Sequence, residues 1–147
     1  MRFNAVIPEL TISSLKRSLS FYCKLCGFKI MYDRKESRFA FLALDHSQIM
    51  IQEGRDAKDS IWYTGPLAHP YGRGIHLQID VKDEKKLHGA LLKKGYPVRT
   101  GLRDNWYRVG AAEYGHRGFL VLDPDGYLLL FFQGIGKRKG TSPKPAV

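Results

Sequence analysis

Cysteine is scarce in this chain of 147 residues, and its only two copies, Cys23 and Cys26, stand close together. A C-x-x-C spacing occurs in redox couples and in one half of a zinc site. A structural zinc site generally needs four protein ligands, and the sequence has no second C-x-x-C and no H-x-x-x-H motif to complete one. Both cysteines fall within an apolar helical pattern, where a free cysteine behaves as a small hydrophobic residue. We therefore expect them to pack in the core rather than to bind metal or undergo redox chemistry.

Long apolar runs are also missing from the sequence. No segment approaches the ~18 apolar residues that a membrane-spanning helix needs. Residues 1–4 include Arg2 and lead into a proline-containing strand instead of the apolar stretch of a secretory signal. Apolar residues nevertheless make up 44% of the chain, which allows one domain with a hydrophobic core. We expect a cytoplasmic protein that has no membrane partner.

Acidic residues are outnumbered by basic ones, 14 against 24, which gives a net charge of +10. Four of the basic residues lie in the last eleven positions, which contain no acid: Lys137, Arg138, Lys139 and Lys144. Without these four charges, residues 1–136 still carry +6. We expect residues 137–147 to form a flexible basic tail that attracts anions, nucleic acid included, only non-specifically. A basic nucleic-acid-associated module stays an alternative, although no helix-turn-helix, zinc-finger, RRM or KH pattern is present.

The order of predicted elements repeats along the chain. In the first half, strands are predicted at residues 6–12, 28–32, 39–44 and 49–52, with a helix that Ser13 or Ser14 caps and Gly27 ends. In the second half, strands are predicted at residues 75–81, near 97–99, at 119–122 and at 127–132, with a helix between Asp83 and Gly95. Each half therefore reads as β-α-β-β-β, which indicates an internal duplication.

A duplicated β-α-β-β-β unit predicts an α+β fold in which two modules form a curved mixed sheet around a cleft. We expect a single domain over residues 1–136, with module one at about 5–54 and module two at about 75–133. Residues 55–74 are rich in glycine and proline and are predicted to be the linker.

Two segments resemble a known superfamily. Residues 8–28 read P-E-L-T-I-S-S-L-K-R-S-L-S-F-Y-C-K-L-C-G-F, and residues 119–131 read F-L-V-L-D-P-D-G-Y-L-L-L-F. They are similar to the opening and the closing hairpin of the vicinal oxygen chelate superfamily of glyoxalases, bleomycin-resistance proteins and dioxygenases. Pro8 and the stretch Y-G-H-R-G-F, residues 114–119, resemble the bleomycin-resistance subgroup. The resemblance covers about residues 5–133 and implies a homodimer with ligand clefts between its subunits, in which exchange of the N-terminal strand stays open.

The resemblance also implies where metal ligands would stand in enzymes of the superfamily. The four positions fall on Ile7, Gln52, His76 and Leu130, with Glu53 as an alternative to Gln52. A catalytic divalent metal site generally wants about three protein ligands, and isoleucine and leucine have no donor atom. We therefore expect no metal ligand, no cofactor and no catalytic residue, so the sequence leans against an enzyme. A metal-dependent glyoxalase or dioxygenase stays the alternative.

The candidate ligand-binding residues are mainly aromatic or cationic, since such side chains suit planar or amphipathic ligands. They are Gln52, Trp62, Tyr63, His76, Trp106, Tyr107, Arg108, His116 and Arg117. His76 either hydrogen-bonds a ligand or is a partly buried histidine satisfied by its neighbours. The aromatic residues either contact a ligand or fill a dimer interface, where tryptophan, tyrosine and arginine are also enriched.

These observations favour a small-molecule binding protein of the bleomycin-resistance type over an enzyme or a nucleic-acid module. It would sequester a drug or a metabolite in a dimer cleft without a metal, and so act in antibiotic resistance or a related process. Bleomycin is cationic, whereas this chain is basic, and like charges slow encounter. We therefore expect a neutral or anionic ligand.

Overall fold

The structure of the chain is a computed structural model, which describes residues 1–54 and 61–141. The elements of the first module are β1 (Glu9–Ile12), α1 (Leu15–Leu19), which continues as a π-helical turn (Ser20–Leu25), β2 (Lys29–Arg34), a short 3-10 turn (Lys35–Ser37), β3 (Phe39–Leu44) and β4 (Ser47–Glu53). The Ser14 side chain accepts a hydrogen bond from the backbone N of Arg17 at 3.3 Å, so Ser14 is the cap of α1. Gly27, with φ +82°, follows the helical segment and turns the chain into β2.

The second module has the same order of elements. They are β5 (His76–Asp80), α2 (Glu84–Lys93), β6 (Thr100–Val109), β7 (Ala112–Leu122) and β8 (Leu128–Lys139). Asp83 caps α2 as predicted, because its carboxylate accepts a hydrogen bond from the backbone N of Lys86 at 2.9 Å. Gly95, with φ +68°, terminates the helical segment.

The strands form two four-stranded mixed sheets with orders β1-β4-β3-β2 and β5-β8-β7-β6. In each sheet the module's first and last strands pair in parallel, and the other neighbouring pairs are antiparallel. The identical orders confirm both the α+β class and the repeated β-α-β-β-β module. Among the described residues, no helix is long and apolar enough to pass through a lipid bilayer.

Three boundaries in the second module differ from the sequence prediction. The strand predicted near residues 97–99 is β6 at Thr100–Val109, and β7 begins at Ala112 rather than at Phe119. The flexible tail predicted from residue 137 is wrong at its start, since β8 extends to Lys139. Lys139 pairs with Ala112 of β7, and the guanidinium Nε of Arg138 lies 2.6 Å from a carboxylate oxygen of Glu113. Strand pairing therefore orders a basic segment whose composition alone suggested a free end.

The predicted linker contains residues that fall outside the described part of the chain, namely 55–60. Residues 61–74 form turns and bends without helix or strand. The far end of the predicted tail, residues 142–147, also lies outside the described residues.

A shared core joins the two modules. Buried side chains from the first helical segment, from α2 and from both sheets form one hydrophobic cluster. The ring of Phe21, from the first module, lies 4.9 Å from the ring of Tyr96 in the second. Cys23 and Cys26 are free thiols that pack within or against this cluster, and burial raises the pKa of both. Packing is thus their observed role.

The turn between β7 and β8 carries two buried carboxylates, Asp123 and Asp125. Asp123 forms the turn by accepting hydrogen bonds from the backbone N atoms of Asp125 and Tyr127, both at 2.9 Å. Its second oxygen accepts a 2.8 Å hydrogen bond from the hydroxyl of Tyr22. Asp125 accepts hydrogen bonds from the backbone N, at 3.0 Å, and from the hydroxyl of Ser13. The contacts of Asp123 with Tyr22 and of Asp125 with Ser13 both connect the second module to the first.

We predict that Tyr22→Phe lowers the free energy of unfolding by about 1–3 kcal/mol, because it leaves an oxygen of the buried Asp123 carboxylate without its partner. Urea denaturation followed by circular dichroism measures the change. Tyr32→Phe is the matched control, since the Tyr32 hydroxyl has no hydrogen bond to any residue that the structure describes. Equal effects of the two substitutions would contradict a stabilising role for the bond between the modules.

Candidate functional site

A cavity of about 310 Å³ lies on the face of the second sheet that is turned away from the core; we call it the open face. Most of its wall comes from alternate positions of the strands, because successive side chains of a strand point to opposite faces; Phe119, whose side chain is in the core, is the exception. The lining residues are His76, Gln78, Thr100, Arg103, Asn105, Tyr107, Gly118, Phe119, Leu120, Leu128 and Leu130. All four strands of the sheet contribute to it.

The cavity has an apolar floor between two polar edges. Leu120, Leu128 and Leu130 stand on the central strands β7 and β8. The polar residues of the lining stand on the outer strands: His76 and Gln78 on β5, and Thr100, Arg103, Asn105 and Tyr107 on β6. This arrangement suits a small molecule with an apolar body and a few polar groups.

The polar edge on β5 is a linked pair of side chains. The Nε2 atoms of Gln78 and His76 lie 3.2 Å apart, so the Gln78 amide nitrogen donates a hydrogen bond to the imidazole tautomer that carries no proton on Nε2. Both residues are exposed and their side chains face the cavity. His76 is therefore partly satisfied by a neighbour and still accessible to a ligand.

The opposite edge, on β6, carries a free cation. Arg103 is exposed and makes neither a hydrogen bond nor an ion pair with any residue in 1–54 or 61–141. None of the described residues in the lining is an aspartate or a glutamate. The charge at the cavity wall is therefore positive.

Gly118 lies in the middle strand of this wall. A Cβ atom at this position would lie 2.6 Å from the carbonyl oxygen of Phe131 and 2.9 Å from the Cβ of Phe132. A larger residue would have to displace the backbone of β8, so glycine is required for β7 and β8 to approach beneath the cavity.

The structure places three of the predicted site residues on the open face. His76 and Tyr107 line the cavity. His116, the cross-strand partner of Asn105, lies beside the cavity: its ring stacks on Phe132 with centroids 4.4 Å apart, and the Tyr107 ring is 5.6 Å away. The Nδ1 atom of His116 is buried without a hydrogen-bond partner among the described residues. Their role in ligand binding stays a prediction.

Trp106, Arg108 and Arg117 lie on the other face of the sheet. Trp106, Tyr107 and Arg108 are all predicted to bind ligand, but adjacent residues of β6 point to opposite sides of the sheet. The indole of Trp106 lies beneath the guanidinium of Arg138, 4.1 Å from the ring centroid. Arg117 forms two hydrogen bonds, of 2.6 and 2.9 Å, to the Asp104 carboxylate and thereby lowers the pKa of that group. These side chains do not reach the cavity.

The remaining predicted residues belong to the first module and the linker, away from the cavity of the same chain. Gln52 lies on β4, where its amide donates to the backbone oxygen of Glu53 at 3.3 Å and to that of Ser37. Trp62 is exposed in the linker, and Tyr63 is partly buried with its hydroxyl close to Gly54. None of the three lines the cavity.

Sequence reasoning missed Gln78, Thr100, Arg103 and Asn105 as site residues. A two-residue period starting from His76 leads to Gln78, and the same period read back from Tyr107 leads to Asn105 and Arg103. This two-residue period identifies Arg103 and Asn105 only when residues 100–109 are predicted to be a strand. The sequence prediction placed the strand near residues 97–99 instead.

The residues at the four implied metal positions do not fit a divalent metal ion. Ile7 and Leu130 have no donor atom, so at most Gln52 and His76 of the four residues could bind a metal, fewer than the three protein ligands that a catalytic site generally needs. Glu53, the alternative to Gln52, points to the helix side, where it accepts from the backbone N of Leu15 at 2.9 Å and pairs with Arg38 at 2.9 Å. Within residues 1–54 and 61–141, no three His, Cys, Asp or Glu side chains are grouped so that they could hold a metal.

Comparison with known proteins agrees with this architecture. The chain is 31% identical over 136 residues to a bleomycin resistance protein of Geobacillus stearothermophilus, an alignment that covers 88% of this chain and 96% of that protein. A crystal structure of a protein of unknown function from Agrobacterium tumefaciens is 28% identical, with a TM-score of 0.60 and coverage of 90% of this chain and 94% of that one.

A third similarity concerns the fold alone. The crystal structure of a glyoxalase/bleomycin resistance protein/dioxygenase from Alicyclobacillus acidocaldarius has 20% sequence identity, a TM-score of 0.58 and coverage of 92% of this chain and 96% of that one. The family model described as Glyoxalase/Bleomycin resistance protein/Dioxygenase superfamily matches residues 3–131. The chain therefore belongs to the glyoxalase/bleomycin resistance protein/dioxygenase superfamily.

Proposed function

We propose that this chain is a small-molecule binding protein of the bleomycin-resistance type, which sequesters a drug or a metabolite on the open face of its second sheet without a metal ion. The observation that carries the proposal is the cavity of about 310 Å³, with its leucine floor and polar edges. Two further findings support it: the 31% identity to a bleomycin resistance protein, and donor-free residues at two of the four implied metal positions.

The charge of the site favours a neutral or anionic ligand. Arg103 stands free at the wall, and no carboxylate occurs among the described lining residues to receive a cationic group. The net charge of +10 acts in the same direction at longer range. A cationic drug such as bleomycin is therefore a poorer match than an uncharged or acidic compound.

A homodimer would complete the site. Subunit clefts would bring Gln52, Trp62 and Tyr63 of one protomer to the cavity of its partner, which they do not reach within one chain. The outer-edge strands of the two sheets support association, because they carry exposed apolar side chains: Ile30 and Met31 on β2, Tyr107 and Val109 on β6. Exposed edge strands and apolar patches are common sites of subunit contact.

We predict that Leu130→Trp weakens ligand binding by roughly tenfold or more, because the indole occupies space above the leucine floor. The measurement is a thermal-shift screen of neutral, acidic and bleomycin-type compounds on EDTA-treated protein, followed by calorimetric titration of those that raise the melting temperature. Leu92→Trp is the control, since Leu92 is 51% exposed on α2, outside the cavity lining. Binding that disappears with EDTA and returns with one equivalent of a divalent metal would contradict the metal-free proposal.

We predict that Met31→Lys shifts the protein from dimer to monomer, since it places a cation in an apolar contact of an already basic chain. Light scattering coupled to size-exclusion chromatography measures the molar mass. Leu92→Lys removes a similarly exposed apolar residue from α2 and should leave the mass unchanged. A wild-type protein that elutes at the monomer mass at high micromolar concentration would rule out the homodimer.

A further inference from the structure

We propose that the cavity selects amphipathic organic anions, with the acidic group of the ligand on Arg103 and a flat apolar body on the leucine floor. This inference rests on the proposed function and narrows its ligand class from neutral or anionic to anionic. It assigns the deciding contact to a residue that the sequence analysis did not place in the site.

Arg103 differs from the other arginines of β6, β7 and β8 because it is both unpaired and on the cavity face; Arg108 also has no partner among the described residues, but it lies on the opposite face. Arg117 and Arg138 belong to the same sheet, and each is engaged by a carboxylate, Asp104 and Glu113 respectively, at 2.6 Å. Arg103 has no such partner in the described part of the chain, although it lines the same cavity wall as several polar residues. A guanidinium that the protein itself does not pair offers two parallel donors to a carboxylate, sulfonate or phosphate.

The cavity residues around Arg103 supply hydrogen-bond donors, and none of them is a carboxylate that would compete with the ligand for the guanidinium. Asn105 is the next residue of β6 on the same face, and Thr100 lies on the same edge of the cavity. The amide of Asn105 has no hydrogen bond to another described residue, so it is available beside the guanidinium. Asp80 shares this face of the sheet through its pairing with Phe132, but it is outside the cavity lining.

The apolar part of the cavity determines the shape of the apolar group that the ligand carries. Leu120, Leu128 and Leu130 give a continuous apolar surface, and Tyr107 is 49% exposed at its border. A half-exposed aromatic ring beside an aliphatic floor favours a planar body, which can stack on one and lie on the other. A volume of about 310 Å³ is at the small end for ligand sites, so one or two fused rings fit better than a glycopeptide.

Two dyes of the same shape test the charge selection. The anionic 8-anilinonaphthalene-1-sulfonate and the neutral N-phenyl-1-naphthylamine share an apolar ring system and differ in the sulfonate. We expect wild-type protein to bind the anionic dye about tenfold more tightly by fluorescence titration, and Arg103→Gln to remove most of that preference while leaving the neutral dye unaffected. Arg108→Gln is the matched control, because it removes the same charge from the opposite face of the same strand.

Leu130→Trp tests whether the dyes bind in the cavity. We expect this substitution to weaken the binding of both dyes. Unchanged binding of the anionic dye in this variant would overturn the proposal. Binding of both dyes with equal loss in Arg103→Gln and Arg108→Gln would overturn the anion selection while the proposed binding function stands. Failure of both dyes and of every compound in the thermal-shift screen would overturn the proposed function as well. Circular dichroism and melting temperatures of all variants verify that the dyes report on native protein.

Discussion

The relative position of the two modules depends on their shared core, and the buried carboxylate of Asp123 is its central polar contact. It accepts two backbone hydrogen bonds within its own turn and one from Tyr22, which belongs to the first helical segment. A buried carboxylate is costly unless donors surround it. Burial raises the pKa of Asp123 even though these donors lower it, so the interaction must be kept intact for the turn to stay in the interior. The neighbouring Asp125 extends the junction to Ser13, and the β7–β8 turn thereby anchors the central strands of the cavity to the first module.

The two modules have the same strand order. They differ in the face of the sheet that is turned away from the core, which is covered in the first module and lined by the cavity in the second. In the first sheet, Phe41 and Met50 pair across β3 and β4 where the second sheet has the cavity residues Leu120 and Leu130. Residues at the N-terminus lie over this position: the Phe3 ring is 5.5 Å from Phe41, and the backbone N of Asn4 donates to Gln48 at 2.7 Å. The Tyr32 ring also stacks on Phe41, with centroids 5.1 Å apart, and Phe41 is fully buried. On the second sheet the equivalent residues Leu120 and Leu130 line the cavity instead, so among the described residues the two modules differ in how this face is covered.

Much of the fold followed from local signals. The capping side chains of Ser14 and Asp83 and the glycines after both helical segments set the helix limits, and the matching element order predicted the repeated modules. The long hairpin of β6 and β7 was not predicted, because Gly101, Asp104 and Asn105 have low strand propensity and the segment is held by pairing with β7 instead. The prediction of the site residues was incomplete for the same reason, since β6 was not predicted at residues 100–109. Without a predicted strand at residues 100–109, nothing in the sequence separates Trp106 from Tyr107 as candidates, whereas the pleat of β6 sends their side chains to opposite faces.

Membership of a superfamily that contains enzymes does not make this chain one, since chemistry depends on particular side chains rather than on the fold. Here two of the four positions that the resemblance implies for metal ligands carry Ile7 and Leu130, and Leu130 is part of the apolar floor of the cavity. The polar groups that line the cavity, His76 with Gln78 on one edge and Arg103 with Asn105 on the other, can donate or accept hydrogen bonds but present no carboxylate as a base or ligand. Such a site can hold a molecule by complementarity of shape and charge, which is the form of interaction that sequestration requires. The leucine floor and the hydrogen-bonding groups at its two edges are thus the features of this surface that a bound molecule would contact.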